Sequence, residues 1–315
     1  MNILFVASGN NSDGPGAVVA NQAESLRRAG HNVDFYLVQG KGATGYLKNY
    51  LPLGKKIRSG KYHIVHAHGM SALLAGMISV RPVVASLLGS EVFEQRRLKK
   101  VWPFFIRKRW AAVIVKSERM ADELARTSDD VIRQHLHIIP NGVDTERFRP
   151  SEKNEALKNL PDGFREKKPL VLFMADPERH SKNAALARDT MKLIPEAELK
   201  ILHNVSVEQV PFYLNASEAV LLTSRWEGSP NIIKEAMACG RPIVSTEVGD
   251  VSWLLGNLDG HYIADAKPAA LADAVRKALT FSGITKGPER IQELGLDDVS
   301  VARRITSVYE SVINE

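Results

Sequence analysis

Short, mostly apolar runs recur along this chain, and longer stretches with apolar residues every three or four positions lie between them. Runs at 3–7, 33–38, 63–66, 83–87, 112–115 and 136–139 predict strands, and 17–29 has helical spacing and stops at Gly30. Strand and helix in alternation predict a parallel sheet covered by helices. The rhythm breaks across 140–150, and 151–168 is polar with Pro161 and Gly163 inside it. It restarts with runs at 170–174, 199–202, 219–222, 242–245 and 262–263, and a last helix begins near Asp298. The expectation is an α/β chain of two domains, 1–148 and 149–315, whose last helix packs back on the first. Ligand sites of parallel sheets lie beyond the carboxyl ends of the strands, so chemistry is sought in the loops there.

Composition narrows the picture. The chain has 315 residues, 44% hydrophobic and 25% charged, as expected of two globular domains. The opening MNILFVASG has no basic segment before its apolar run and reads as a first strand rather than a secretory signal. No apolar stretch reaches the roughly 18 residues of a membrane span. A cytoplasmic protein, peripheral at the inner face of the membrane, is the expectation. The net charge of +6 suits anionic partners such as nucleotides or acidic lipids, but it is too dispersed to imply nucleic acid. Cys239 is the only cysteine, so no internal disulfide forms, and its run EAMACG reads as a helix burying an inert thiol.

The strongest chemical signal is TSRWEGSPNIIKEAMACGRPIVSTEVGDV, from 223 to 251. A loop with Glu227, Gly228, Ser229 and Pro230 leads into a helix that starts near Asn231 and carries Glu235 about one turn in. Free amides at a helix start bind anions such as a diphosphate, and Gly228 lets a ligand approach the backbone. A carboxylate accepts hydrogen bonds from sugar or ribose hydroxyls. Taken singly, Glu227 also reads as an ordinary loop acid, and Glu235 as a solvated helix residue.

This block resembles the Glu-x7-Glu motif of the family-4 retaining glycosyltransferases, glycosyl transferases group 1. PNGVDTERFRP resembles their hinge segment, and HAHG at 66–69 resembles their N-domain histidine motif. The resemblance covers essentially the whole chain. It implies the GT-B fold, two Rossmann-like doubly wound domains facing each other across a cleft. It further implies metal-independent transfer of a sugar, with retention, from a nucleotide-diphosphate sugar to a glycan or lipid-linked acceptor. No cofactor is implied beyond a UDP- or GDP-sugar as co-substrate. The donor would lie on the C-terminal domain and the acceptor mainly on the N-terminal one. By resemblance Glu227 contacts the sugar, the backbone of Ser229, Pro230 and Asn231 holds sugar and diphosphate, and Glu235 binds the ribose. His68 matches a histidine beside the sugar. Its other reading is a core histidine closing a strand.

Relatives carry an arginine and a lysine after the first strand of the second domain, which neutralise the departing diphosphate. In FMADPERHSKN, Lys182 matches the lysine, Asp176 stands at the arginine's place and Arg179 is close by. Both cations could instead be solvated loop charges. The loop GNNSDGPGA lacks the dinucleotide spacing. It resembles the family's glycine loop, which places Gly16 near the donor, and it also reads as a plain turn. In SLLGSEV, Leu88 and Glu91 stand where relatives often have histidine and aspartate. Between Leu202 and Val207 the chain runs on where many relatives have an extra helix and strand. The segment 96–110 interleaves seven cations with aromatics, suited either to an anionic membrane surface or to a surface helix with its rings packed inward. Two rivals share the sequence features: a sugar-nucleotide epimerase or hydrolase, and a protein that binds the donor without turnover.

Overall fold

The computed structural model describes residues 1–10, 14–40, 42–94, 100–126, 130–161, 164 and 168–314. The chain runs through β1 (Asn2–Ser8), α1 (Ala17–Arg28), β2 (Asn32–Val38), α2 (Gly42–Ser59), β3 (Ile64–His68), α3 (Ser71–Ile78) and β4 (Val83–Ser86). It continues with α4 (Ser90–Phe93), α5 (Trp102–Lys108), β5 (Ala112–Val115), α6 (Glu118–Ala125), α7 (Asp130–Gln134) and β6 (Leu136–Ile138). Then follow α8 (Lys153–Lys158), β7 (Leu170–Met174), α9 (Ala184–Lys192), β8 (Glu198–Leu202), α10 (Val210–Ala216) and β9 (Ala219–Leu222). The last elements are α11 (Asn231–Ala238), β10 (Ile243–Ser245), α12 (Val251–Leu255), β11 (His261–Ile263), α13 (Pro268–Thr280), α14 (Gly287–Glu293) and α15 (Asp298–Asn314).

These elements form two compact units, Met1–Gly142 with Asp298–Glu315, and Val143–Asp297. The sequence reading divides the chain at 148/149, whereas the structure divides it after Gly142. The reason is that Val143 bridges to Asp297 and Phe148 is buried in the second unit's core. The first unit has a six-stranded parallel sheet in the order β2-β1-β3-β4-β5-β6. Period-two alternation sorts β1 between two cores. Ile3, Phe5 and Ala7 join α1 and α15 through Leu26, Ile305 and Tyr309, while Leu4 and Val6 join the core that holds α3 and α5.

The second unit has a five-stranded parallel sheet, β11-β10-β9-β7-β8. Val171 and Phe173 of β7 face α9 and α13, and Leu172 faces the core of α10 and α11. β8 is an edge strand. The seven residues from 203 to 209 lead from it directly to α10, which is the shortening seen in the sequence. In each sheet the winding reverses once, between β1 and β3 and between β7 and β9. Loops diverge at such a reversal and open a crevice beyond the carboxyl ends of the strands.

The segment 96–110 is described from residue 100 onward. Trp102, Phe105 and Trp110 are all buried, with Trp102 and Trp110 centroids 5.7 Å apart and Trp110 Nε1 donating to Ala72 O at 3.0 Å. Phe104 faces outward, together with Arg107, Lys108 and Arg109. Trp102, Phe105 and Trp110 therefore pack inward as the surface-helix reading expects, while Phe104 and the cations remain on the outer face. Among the described residues no helix is long and apolar enough to cross a membrane. Trp110→Ala should destabilise the protein by about 3–5 kcal/mol through cavity formation, and Phe104→Ala by less than about 0.5 kcal/mol. Urea unfolding of the two variants checks this, and equal small losses would contradict the inward packing.

Candidate functional site

The reversal in the second sheet places the loop after β7 beside the loop after β9, and side-chain to backbone hydrogen bonds join them. Thr223 Oγ1 donates to Lys182 O at 3.1 Å and to Asn183 O at 3.0 Å. Arg225 N donates to Ser181 O at 2.8 Å, and the Arg225 guanidinium reaches Asn183 Oδ1 at 3.1 Å. Asn183 takes the left-handed conformation, φ 53°, at the point where the first loop turns into α9. These contacts bring Lys182 Nζ to 2.6 Å from Glu227 Oε1, an oxygen that also accepts from Ser224 Oγ at 2.6 Å. Both partners of the ion pair are largely enclosed, with side-chain exposures of 19% and 13%.

The structure thus unites Glu227 and Lys182, forty-five positions apart. It does not bring Arg179 to them. Arg179 is exposed at the head of the short 3-10 turn His180–Lys182 and makes no ion pair with Glu227. Asp176, at the place where an arginine was sought, closes a local turn by accepting from Glu178 N at 3.0 Å.

From Glu227 the chain enters α11 through Gly228, Ser229 and Pro230, all buried, and Asn231, half-buried. No side-chain hydrogen bond caps the helix start. The loop is gripped from the other side by the loop after β10. Thr246 Oγ1 donates to Ser224 O at 2.8 Å. Gly249, φ +59°, lies so close that a Cβ would sit 2.9 Å from Gly228 O. Beside this contact a cavity of about 330 Å³ opens at the ends of β9, β10 and β11, lined by Ser224, Arg225, Thr246 and Glu247 among others.

Behind the loop lies a second group of charges, in which Glu235, expected from the sequence, is joined by Lys234 and Asp250, which the sequence reading did not single out. Lys234 is 1% exposed and donates to Ser229 Oγ at 2.9 Å. Burial pushes Lys234 down to about 8, opposed by Asp250, Glu235 and Glu227. Burial pushes Asp250 up to about 6, opposed by Lys234, and neither of its carboxylate oxygens has a hydrogen bond of ordinary geometry. Glu235 is half-buried, and burial pushes it up to about 7 against the pull of Lys234 and Arg147. A signal for Lys234 was present: positions 234, 237 and 238 share one helix face, and the other two are apolar. Gly249 and Asp250 lie inside the 223–251 block, but nothing local marked them as neighbours of the Glu227 loop. Cys239 is buried with its thiol pushed up to about 12, an inert group.

In the first unit, His68 ends β3 and is 3% exposed. Its Nε2 lies 2.7 Å from Gln22 Oε1 of α1, and its ring stacks on His66 with centroids 4.4 Å apart. Burial, reinforced by the Lys116 charge, lowers it to about 3, so the ring is neutral. A neutral ring facing an amide oxygen carries its proton on Nε2. Where the sequence reading expects an opening into a cleft, the ring is enclosed. Gly16 precedes α1, and its carbonyl accepts from Val19 N at 2.9 Å. The glycine loop's residues 11–13 lie outside the described residues. Glu91 is buried and binds Leu88 N and Gly89 N at 3.1 and 3.0 Å, so it closes the loop after β4.

Residues 12–147 match the family model described as Glycosyltransferase Family 4, and residues 165–280 the one described as Glycosyl transferases group 1. The chain is similar to the UDP-Gal:alpha-D-GlcNAc-diphosphoundecaprenol alpha-1,3-galactosyltransferase of Escherichia coli, 24% identical over 69% of this chain and 66% of that protein. It is also similar to the lipopolysaccharide core biosynthesis mannosyltransferase LpsB of Rhizobium meliloti, 29% identical over 67% of this chain and 69% of that one. The chain therefore spans about two thirds of the length of these relatives. Among solved structures, a sucrose-phosphate synthase from Thermosynechococcus elongatus superposes with TM-score 0.82 at 16% identity, covering 100% of this chain and 99% of that one. The Anabaena protein HepE, in complex with UDP and glucose, superposes with TM-score 0.76 at 17% identity, covering 99% and 100%. At these identities the likeness establishes the fold, the two Rossmann-like units of GT-B.

The Glu235 environment makes a test independent of any ligand. Its acid form is favoured in the folded state, so its contribution is complete below the unfolded value near 4.5 and is lost as pH rises through about 7. Glu235→Gln should gain stability over the wild type between pH 5 and 8, by up to roughly 3 kcal/mol. Parallel urea-unfolding curves for the two proteins at both pH values would contradict the assigned environment.

Proposed function

The chain belongs to the group 1, family-4 glycosyltransferases, and from that premise we propose that it moves a sugar from a UDP- or GDP-sugar to a glycan or lipid-linked acceptor. The observation that carries this reading is the Lys182–Glu227 pair at 2.6 Å, set at the sheet reversal and leading into the uncapped start of α11. An enclosed cation, a carboxylate and a helix N-terminus side by side are what a sugar diphosphate requires. The helix amides and Lys182 meet the phosphate charge, and Glu227 accepts from sugar hydroxyls. Glu235, half-buried a turn further on, is assigned to the ribose hydroxyls. Support for the nucleotide comes from the similar Anabaena HepE structure, which is a complex with UDP and glucose.

Lys182 is neutralised by Glu227. An arriving diphosphate competes for the ammonium and releases Glu227 toward the sugar. Transfer breaks the bond from the anomeric carbon to the diphosphate oxygen and forms one to an acceptor hydroxyl oxygen. The hydroxyl proton passes to the diphosphate oxygen that departs. If both events occur on one face of the sugar, the anomeric configuration is retained, as the family resemblance implies. Charge on the leaving diphosphate grows during the step, so Lys182 acts most strongly in the transition state. Arg179, exposed on the same turn, is the second cation within the loop. His68 is assigned, by its burial and its bond to Gln22, to holding the β3 loop, and through that loop to the acceptor side.

Two measurements test the reading. With a panel of UDP- and GDP-hexoses and oligosaccharide or lipid-diphosphate acceptors, Lys182→Ala should lower kcat by about 10²–10³-fold while donor affinity changes less than about tenfold. Wild-type turnover in that variant would remove Lys182 from the reaction, and sugar release or isomerisation with donor alone would favour the hydrolase or epimerase rival. The same reading assigns leaving-group neutralisation to side chains and helix amides, so turnover should survive exhaustive EDTA treatment. Activity that EDTA abolishes and magnesium or manganese restores would overturn the metal-independent part.

A further inference from the structure

Lys234 lies on the α11 face that buries Met237 and Ala238, where an apolar side chain would pack without cost. Enclosing an ammonium instead is unfavourable unless charge or hydrogen bonding compensates. Its Nζ is bonded to the Ser229 hydroxyl at 2.9 Å, immediately behind the turn from which α11 starts. The adjoining loop after β7 offers Asp176 in a turn of its own and Arg179 exposed, so Lys182 is the enclosed cation it contributes. Asp250, half-buried beside Lys234 but with both carboxylate oxygens enclosed and lacking an ordinary hydrogen bond, is an acid whose counter-charge is that lysine.

We propose that Lys234 is a positioning residue of the donor site: its ammonium, enclosed behind 227–231, fixes Ser229 and sets a positive charge beneath the helix start that receives the diphosphate. This rests on the donor-site reading above. Lys234 does not touch the substrate. It supplies from behind the loop the second charge that the β7 loop does not deliver from in front. The groups that face it are Asp250 at the head of α12, Glu227 in the loop after β9, and Glu235 on α11. Glu227 is itself engaged by Lys182, and Glu235 by the field of Arg147. Asp250 balances the ammonium. A bound diphosphate adds negative charge in front of it, so diphosphate binding and retention of the Lys234 proton reinforce each other.

The test is calorimetry with UDP, GDP and UMP from pH 7.5 to 9.5, where the phosphates no longer titrate because their last proton leaves near 6. In the wild type, affinity for the better diphosphate should fall by about tenfold across that range, as the Lys234 proton is lost from the free protein. Lys182→Met should keep this alkaline limb. Lys234→Met, and the charge-balanced double variant Lys234→Met with Asp250→Asn, should flatten it to less than about twofold. At pH 7.5 they should bind the diphosphate about tenfold more weakly and UMP within about threefold of wild type. The double variant removes both buried charges, so folding, monitored by thermal melting, does not depend on leaving Asp250 unpaired. A purely structural lysine would weaken UDP and UMP alike and leave the limb in place, and that result overturns the proposal. So does an alkaline limb that persists in the double variant while the wild type binds normally. If the wild type binds no nucleoside diphosphate at all, the donor-site reading and this proposal fall together.

Discussion

A parallel sheet buried on both faces leaves its polar chemistry to the loops beyond the carboxyl ends of its strands, and the reversal of winding decides which loops meet there. In the second unit that reversal lies between β7 and β9. The central strands β7, β9 and β10 are almost wholly apolar and enclosed, so they cannot carry the site themselves. The reversal instead sets Lys182, at the end of one loop, against Glu227, at the start of the next. Thr223 and Arg225 secure the two loops to each other, and Thr246 and Gly249 close the far side. Loss of that arrangement would leave each charged side chain an ordinary surface residue.

Enclosure then changes the character of the charges. Burial brings Lys234 down to about 8, Asp250 up to about 6 and Glu235 up to about 7, each toward neutrality at physiological pH. Buried ions are tolerated when they are paired, and here positive and negative groups alternate from Lys182 through Glu227 and Lys234 to Asp250. Such a set contributes little to folding, and an isolated salt bridge of this kind is weak grounds for stability. Its consequence is electrostatic preorganisation: fixed charges in a low-dielectric loop respond strongly to an arriving anion.

The first unit uses burial differently. His66 and His68 stack on each other and against Phe5, His66 also meets Tyr309 of α15, and both rings have proton affinities far below the ordinary value. Both rings are neutral and packed against Phe5, which holds them in place at the end of β3. They tie the β3 terminus to α1 through Gln22 and to the last helix through Tyr309, so the chain's final segment supports the same reversal point that β1 and β3 create.

The sequence determined the strands, because runs such as ILFVA and LVLFM must be buried whatever surrounds them. It also determined the loop–helix block from Glu227 to Glu235, whose residue types and spacing are local properties. It could not determine which of two nearby cations, Arg179 or Lys182, turns inward, because that depends on Thr223 and Arg225 of another loop gripping the chain. Nor could it separate the two readings of 96–110, since the rings find their partners on α3 and in each other. The domain division moved six residues for a similar reason: Val143 and Phe148 follow long-range contacts, not local composition. Lys234 shows the limit most clearly. Its place on an apolar helix face is written in the sequence, but whether it reaches out to solvent or is enclosed with Ser229 and Asp250 depends on two loops more than ten residues apart folding over it, and only the tertiary structure decided that.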